Sequence, residues 1–268
     1  MIIVAEIGSN HCGSLPLALS HIEEAARSGA NAVKFQLFRA ETLDSRPEVQ
    51  ANLRPYELPL DWLPRLHRAA HDEGLLFICT PFDLPLAAAL RGYVDMVKIS
   101  AYDLTYHALI EEAAGLGVPI ILSTAMGTWE DIHSTIDSHL YGSRDIYLLH
   151  GTACYPTRLR DANLSAMEQM IKVFLQCRVG LSDHTLGSEA AVLAAALGAE
   201  MIEKHFALEG VSSPDAPHSA NPYVFQRMVK AVERTKKILG SGWKKGPLPC
   251  ELPLFTTCRR TNEKPLRG

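Results

Sequence analysis

Two lysines and two histidines are the residues best placed to do chemistry in this 268-residue chain. Lys34 and Lys98 each stand between apolar neighbours, Val33 and Phe35 in one case, Val97 and Ile99 in the other. Each ammonium is therefore expected to face a barrel mouth and to need an anion beside it, because desolvating an unpaired charge is costly. Three partners are open. Glu6 or Glu203 would make structural ion pairs; the hydroxyls of Thr80, Ser123 and Ser182 would join the lysines in binding a phosphate and a carboxylate; or one lysine of lowered pKa would form a Schiff base. His184 and His205 end successive strand candidates, where two imidazoles can converge on a divalent ion that keeps positions open for substrate and water. Glu203 precedes His205 by two, so strand alternation puts both on one face, where the carboxylate can act as a base or hold a metal-bound water. A simple hydrogen-bonded cluster is the alternative.

These residues need a frame that brings strand ends together. Short β-branched and apolar runs alternate with stretches of helical period, at 2–7, 32–37, 75–80, 96–100, 119–124, 146–152, 179–183 and 199–206, the pattern of repeated βα units. About eight such units fit an α/β fold of the (β/α)8 TIM-barrel type over residues 1–240, and no glycine-rich nucleotide-binding turn follows any strand. Polar residues cluster at the C-terminal strand ends, where barrels of this kind carry their sites. Leu15, Leu19, Ile22 and Ala26 predict one helix face behind Pro16 and before Gly29; Asn221, Pro222 and Gly240 punctuate a last helix with Val224, Met228 and Val232 on one side. Residues 241–268 are rich in Pro, Lys and Arg and read as a tail, with the Gly-rich 240–246 segment as a turn.

Composition excludes several classes. A 47% hydrophobic content with 21% charged residues supports a large core, and a formal charge of -4 with no basic block argues against a nucleic-acid partner. Six scattered cysteines without a C-x-x-C pair argue against a zinc ribbon or disulfide framework and for a reducing, cytoplasmic setting. No stretch has the length of apolar residues that spans a bilayer, and the N-terminus does not read as a signal peptide. His67 and His71 share helical spacing but read as a solvated face.

The motifs AEIGSNHCG from Ala5, AVKFQLFRAETL from Ala32, FICTPFD from Phe77, VKIS from Val97, PIILSTAMGT from Pro119, LLHGTACYP from Leu148, GLSDHTLG from Gly180 and IEKHFAL from Ile202 resemble the sialic acid synthase family, barrels that condense phosphoenolpyruvate with an aldehyde sugar. The resemblance spans residues 2–240 and implies a metal-dependent, C–C bond-forming transferase of carbohydrate biosynthesis acting as a homodimer. It implies that His184 and His205 hold manganese or magnesium, and that Lys34, Thr80, Lys98, Ser123 and Ser182 bind phosphoenolpyruvate. Glu6, Gln36, Tyr155 and Asp215 would face the acceptor, and Glu6, Lys98 and Glu203 would be catalytic.

The chain also departs from the family pattern. Ala101 stands where a serine is usual, with Ser100 beside it; Ser123-Thr124-Ala125-Met126 replaces S-T-G-M; and Ala153 replaces a Ser or Asn after H-C-T. Cys258-Arg259-Arg260-Thr261 resembles the start of the linker to an antifreeze-like domain that the sequence, ending at Gly268, does not include. A barrel acting without that lid is expected to use N-acetylmannosamine poorly and to prefer a smaller acceptor or one positioned by another subunit. Two other functions stay open: a pyruvate aldolase-type lyase, and a non-catalytic barrel that binds a sugar acid, for which Ala101 and Ala153 speak.

Overall fold

Eight parallel strands, each carried back by a helix-bearing connection, close on themselves in chain order: β1 (Ile2–Glu6), β2 (Ala32–Leu37), β3 (Leu76–Pro81), β4 (Met96–Ile99), β5 (Ile120–Ser123), β6 (Ile146–Gly151), β7 (Arg178–Asp183) and β8 (Met201–His205). β8 pairs with β1, from Ile2 opposite Met201 to Glu6 opposite His205, and this closes the barrel. The computed structural model describes residues 1–140, 145–240, 242 and 246–260. The (β/α)8 class read from the alternation is the observed one, and every expected strand falls within two residues of its observed bounds.

Strand alternation sorts the side chains into two apolar compartments. Outward residues such as Phe35, Phe77, Ile99, Leu122, Leu148 and Ile202 pack under the helices in the larger core. Inward residues Val4, Ala32, Ile78, Met96, Ile121, Tyr147, Leu149 and Met201 fill the bore. β7 contributes Gly180 to that layer for a steric reason. A Cβ there would lie 2.2 Å from the Met201 carbonyl oxygen and 2.8 Å from Leu149 Cδ2.

The helices follow from their caps and stripes. Leu15–Arg27 begins where the Ser14 hydroxyl accepts Leu17 N–H, and it buries Leu15, Ala18, His21, Ile22 and Ala25. The stripe is thus rotated from the expected one, and Leu19 and Ala26 lie only partly buried at its edge. Pro222–Leu239 is capped by Asn221, whose Oδ1 accepts Val224 N–H at 2.9 Å, and it buries Phe225, Met228, Val229 and Val232. Val224 sits at the edge of that face, and Gly240, at φ +64°, ends the helix. Two further short helices, Ala40–Leu43 and Pro47–Leu53, lie in the long connection after β2.

Within the tail, Leu252–Cys258 forms a short exposed helix, with the Arg259 guanidinium 4.6 Å from the Phe255 ring centroid. Much of the 240–246 turn and all of 261–268 lie outside the described residues. No described helix is long and apolar enough to cross a membrane.

Candidate active site

Two residues beyond the apolar plug, the same inward alternation delivers a polar layer. Val4 leads to Glu6, Ala32 to Lys34, Ile78 to Thr80, Met96 to Lys98, Ile121 to Ser123, Gly180 to Ser182 and Met201 to Glu203. The sequence thus repeats one apolar-to-polar step on seven strands, and barrel closure turns that repeat into a ring. Lys34 Nζ lies 2.6 Å from Glu6 Oε2 and donates to Thr80 Oγ1 at 3.2 Å. Lys98 pairs with Glu203 Oε1, which also accepts the Ser182 hydroxyl at 3.1 Å. Gln36 Nε2 donates to Glu6 Oε1 at 2.7 Å.

Every residue singled out in the sequence for the site lines one cavity of about 700 Å³ at this end of the barrel: Glu6, Lys34, Gln36, Thr80, Lys98, Ser123, Tyr155, Ser182, His184, Glu203, His205 and Asp215. His184 follows β7 and donates its Nδ1–H to the Thr152 carbonyl at 2.8 Å, a geometry that fixes the tautomer and leaves Nε2 unprotonated, 3.4 Å from Ser182 Oγ. Its ring centroid is 5.6 Å from that of His205 and 4.2 Å from that of Tyr155.

The model of the NeuB family matches residues 21–244, most of the chain. This chain belongs to the NeuB family. It is 35% identical to the N,N'-diacetyllegionaminic acid synthase of Legionella pneumophila, over 97% of this chain and 78% of that protein. It is 33% identical to the pseudaminic acid synthase of Campylobacter jejuni, over 90% and 75% respectively. The structure of the sialic acid synthetase of Leptospira borgpetersenii, 35% identical, superposes with a TM-score of 0.88 over 97% of this chain and 93% of that one. The chain is thereby an enzyme of the synthase kind that the motifs implied.

The electrostatics of the NeuB barrel follow from burial and from the alternating charges of its polar layer. Burial pushes the Glu6 carboxyl above its ordinary pKa of 4.5 in spite of Lys34. Burial opposes ionisation of Glu203 as well, but Lys34 and Lys98 outweigh it and hold that carboxyl down to about 2. Burial lowers the Lys98 ammonium. It also brings His205 down to about 3 and lowers His184 and His218, so that all three imidazoles are neutral bases near pH 7. Neutral imidazoles with an unprotonated nitrogen are what a divalent ion requires of its ligands.

Other polar strand-end residues do different work. Lys204 and Asp183 point out of the bore, where they pair at 2.7 Å, fully buried, and Lys204 also donates to the Thr185 carbonyl. Asn10 Nδ2 ties the loop after β1 to the Phe206 carbonyl, and His150 Nε2 bonds the Ala162 carbonyl. The Ser100 hydroxyl is occupied by Asp103 at 2.7 Å, and Ala101 presents only a methyl group to the cavity. His71 of the solvated helix face bonds Asp95, which precedes β4.

Sequence reading missed His218, a buried residue of the cavity wall, along with the contributions of Leu43, Leu53, Phe82 and Tyr102. His218 closes the 3-10 turn Ala216–His218, three residues after Asp215. In that conformation side chains at i and i+3 eclipse, so a His three residues after an Asp across a proline was the available signal.

Proposed function

We propose that this chain condenses phosphoenolpyruvate with an aldehyde acceptor, a sugar or a smaller aldehyde, to give a 2-keto-3-deoxy acid and phosphate. The observation that carries this reading is the single polar layer in which Lys34, Lys98, Thr80, Ser123 and Ser182 meet two carboxyls, in one cavity with neutral histidines. Relatives named as synthases of legionaminic and pseudaminic acids support it.

The Lys34 and Lys98 ammonium groups supply the positive charge of the layer, and burial already opposes ionisation of the Glu6 carboxyl that Lys34 faces. Lys34 with Thr80, and Lys98 with Ser123 and Ser182, then bind the phosphate and carboxylate of phosphoenolpyruvate through charge-assisted hydrogen bonds. Glu6, Gln36, Tyr155 and Asp215 orient the acceptor, fixing its carbonyl carbon against C3 of the enol in near-attack geometry. A divalent ion, Mn²⁺ or Mg²⁺, held by His184 and His205 would supply Lewis acidity at the aldehyde oxygen. As the C3–C bond forms, the aldehyde oxygen takes a proton and C2 becomes electron-deficient. Water adds at C2 and gives one proton to Glu203, which makes good the one taken up by the aldehyde oxygen; as the bond from C2 to the bridging oxygen breaks, the remaining C2 hydroxyl proton passes to the departing phosphate and leaves the ketone. Phosphate leaves with the bridging oxygen while Lys34 and Lys98 stabilise its charge. In sum, phosphoenolpyruvate, aldehyde and water become keto acid and phosphate.

The lowered pKa of Lys98 favours one competing reading, a pyruvate lyase working through a Schiff base. Treatment with borohydride in the presence of pyruvate separates the two. Condensation predicts no adduct on Lys98 and turnover from phosphoenolpyruvate; a trapped adduct, with turnover from pyruvate, reverses the assignment. Binding of phosphoenolpyruvate without turnover of any acceptor would identify a sugar-acid-binding barrel. The homodimer, the reducing cytoplasmic setting and the role of the tail as a linker belong to the same proposal; six unpaired cysteines support the setting.

A further inference from the structure

His205 Nδ1 and His218 Nε2 are both inaccessible to solvent and have no hydrogen-bond partner among the described residues. The two side chains are 7% exposed each, and a buried ring nitrogen left without a partner is costly. Between them stands Asp215. Its Oδ2 is 4.0 Å from His205 Nδ1 and its Oδ1 is 3.6 Å from His218 Nε2, both too long for hydrogen bonds. One ligand atom from each of the three residues lies within 4.8 Å of the other two. Ligands roughly 2.0–2.2 Å from a shared ion are themselves separated by about 3–4.4 Å, so gaps too wide for hydrogen bonds are of the size an ion would span.

The surroundings hold this arrangement in place. Ser9 N–H donates to Asp215 Oδ2 at 2.7 Å, and Asp215 N–H donates back to Ser9 Oγ at 3.3 Å. Gly8, at φ +49°, leaves the carboxylate its room, since a Cβ there would come within 2.3 Å of Asp215 Oδ2. The Tyr155 ring covers His218 at 5.0 Å between centroids and meets His205 edge-on at 6.1 Å. The 3-10 turn through Ala216 and Pro217 aims Asp215 and His218 the same way.

We propose that Asp215 and His218, from the loop that follows β8, join His184 and His205 as direct ligands of the divalent ion, adding one carboxylate and one imidazole to the two-histidine site. The inference rests on the metal-dependent reading above and extends it. Asp215 then belongs to the ion rather than to the acceptor alone, and the mixed nitrogen and oxygen set suits a first-row transition ion.

The test measures Mn²⁺ binding to the substrate-free protein by the loss of the free-ion electron paramagnetic resonance signal. His218→Ala and Asp215→Asn are each expected to raise the Mn²⁺ dissociation constant at least ~10-fold, with unchanged thermal melting and with phosphoenolpyruvate still bound in calorimetry without metal. Should His218→Ala not fold, His218→Gln is read in the same way. Parent-like Mn²⁺ affinity in the His218 variant, together with weakened binding in His184→Ala, would overturn this ligand set while leaving the two-histidine site standing. Failure of the parent protein itself to bind Mn²⁺, with or without phosphoenolpyruvate, would overturn the metal reading and this inference with it.

Discussion

Replacing Lys34 with methionine separates the cation's structural work from its proposed work on substrate. Its ammonium is buried, with Glu6 at 2.6 Å and Thr80 at 3.2 Å. Without it, the Glu6 carboxyl is left in the bore with no counter-ion in contact and must take up a proton. Neutralising a carboxyl of ordinary pKa 4.5 at pH 7 costs about 3.4 kcal/mol, at about 1.36 kcal/mol per pH unit. The sign follows from linkage: a carboxyl whose folded pKa is raised opposes folding at high pH, and the penalty fades as pH falls toward 4.5. Lys34→Met should therefore be destabilised by up to ~3 kcal/mol at pH 7 and recover most of that near pH 5. The double variant Lys34→Met, Glu6→Gln should recover it at every pH. Substrate binding should not recover in either variant. Losing one charge-assisted contact worth about 1.5–3 kcal/mol weakens phosphoenolpyruvate roughly 10- to 150-fold. Urea unfolding across pH reads the first quantity and calorimetric titration reads the second. Parent-like phosphoenolpyruvate affinity in the double variant would refute the anion role of Lys34, and a pH-independent stability loss would refute the account of Glu6.

His184→Ala and His205→Ala should each lower turnover at least ~10²-fold while melting stays within a few degrees, because strand-end residues contribute little to the core; calorimetry beside phosphate release checks both halves. The parent's melting temperature should fall between pH 6.5 and 4. Buried His205 and His11 stay neutral, at about 3 and about 4, while the unfolded chain binds protons, and His11→Asn should flatten that slope in scanning calorimetry. Gly180→Ala should cost about 1–3 kcal/mol or more by overpacking, because the added Cβ meets the backbone of Met201; an unchanged urea midpoint would contradict the packing of the plug. Asn221→Ala should cost about 1 kcal/mol through loss of the cap on Pro222–Leu239, read from the same midpoint.

The barrel was legible because two periods are written into the chain. Alternation within strands and helical spacing between them located all eight strands, and the flanked lysines marked where the bore turns polar. Period-two reasoning also put Glu203 and His205 together, as observed. Applied to Lys204, the same alternation points it away from the bore, and there it pairs with Asp183. Strand-end position alone was therefore too coarse a signal, since adjacent residues face opposite compartments. The loops were less readable. Asp215 entered through family resemblance, and His218 went unnoticed, because a 3-10 turn after the last strand imposes no repeating pattern on sequence. Leu43 and Leu53 reach the cavity from short helices after β2, and with Leu43 exposed and Leu53 only partly buried they belong to no buried hydrophobic stripe.

The central claim concerns a reaction, and its stoichiometry tests it most directly. The purified protein, phosphoenolpyruvate and Mn²⁺ are incubated with a panel of aldoses and small aldehydes, and phosphate release is followed alongside product mass. The account predicts phosphate only when acceptor and ion are both present, in equal amount with a product whose mass is that of the acceptor plus one pyruvic acid. Phosphate release without acceptor, equal activity in excess chelator, or the same product formed from pyruvate would contradict it.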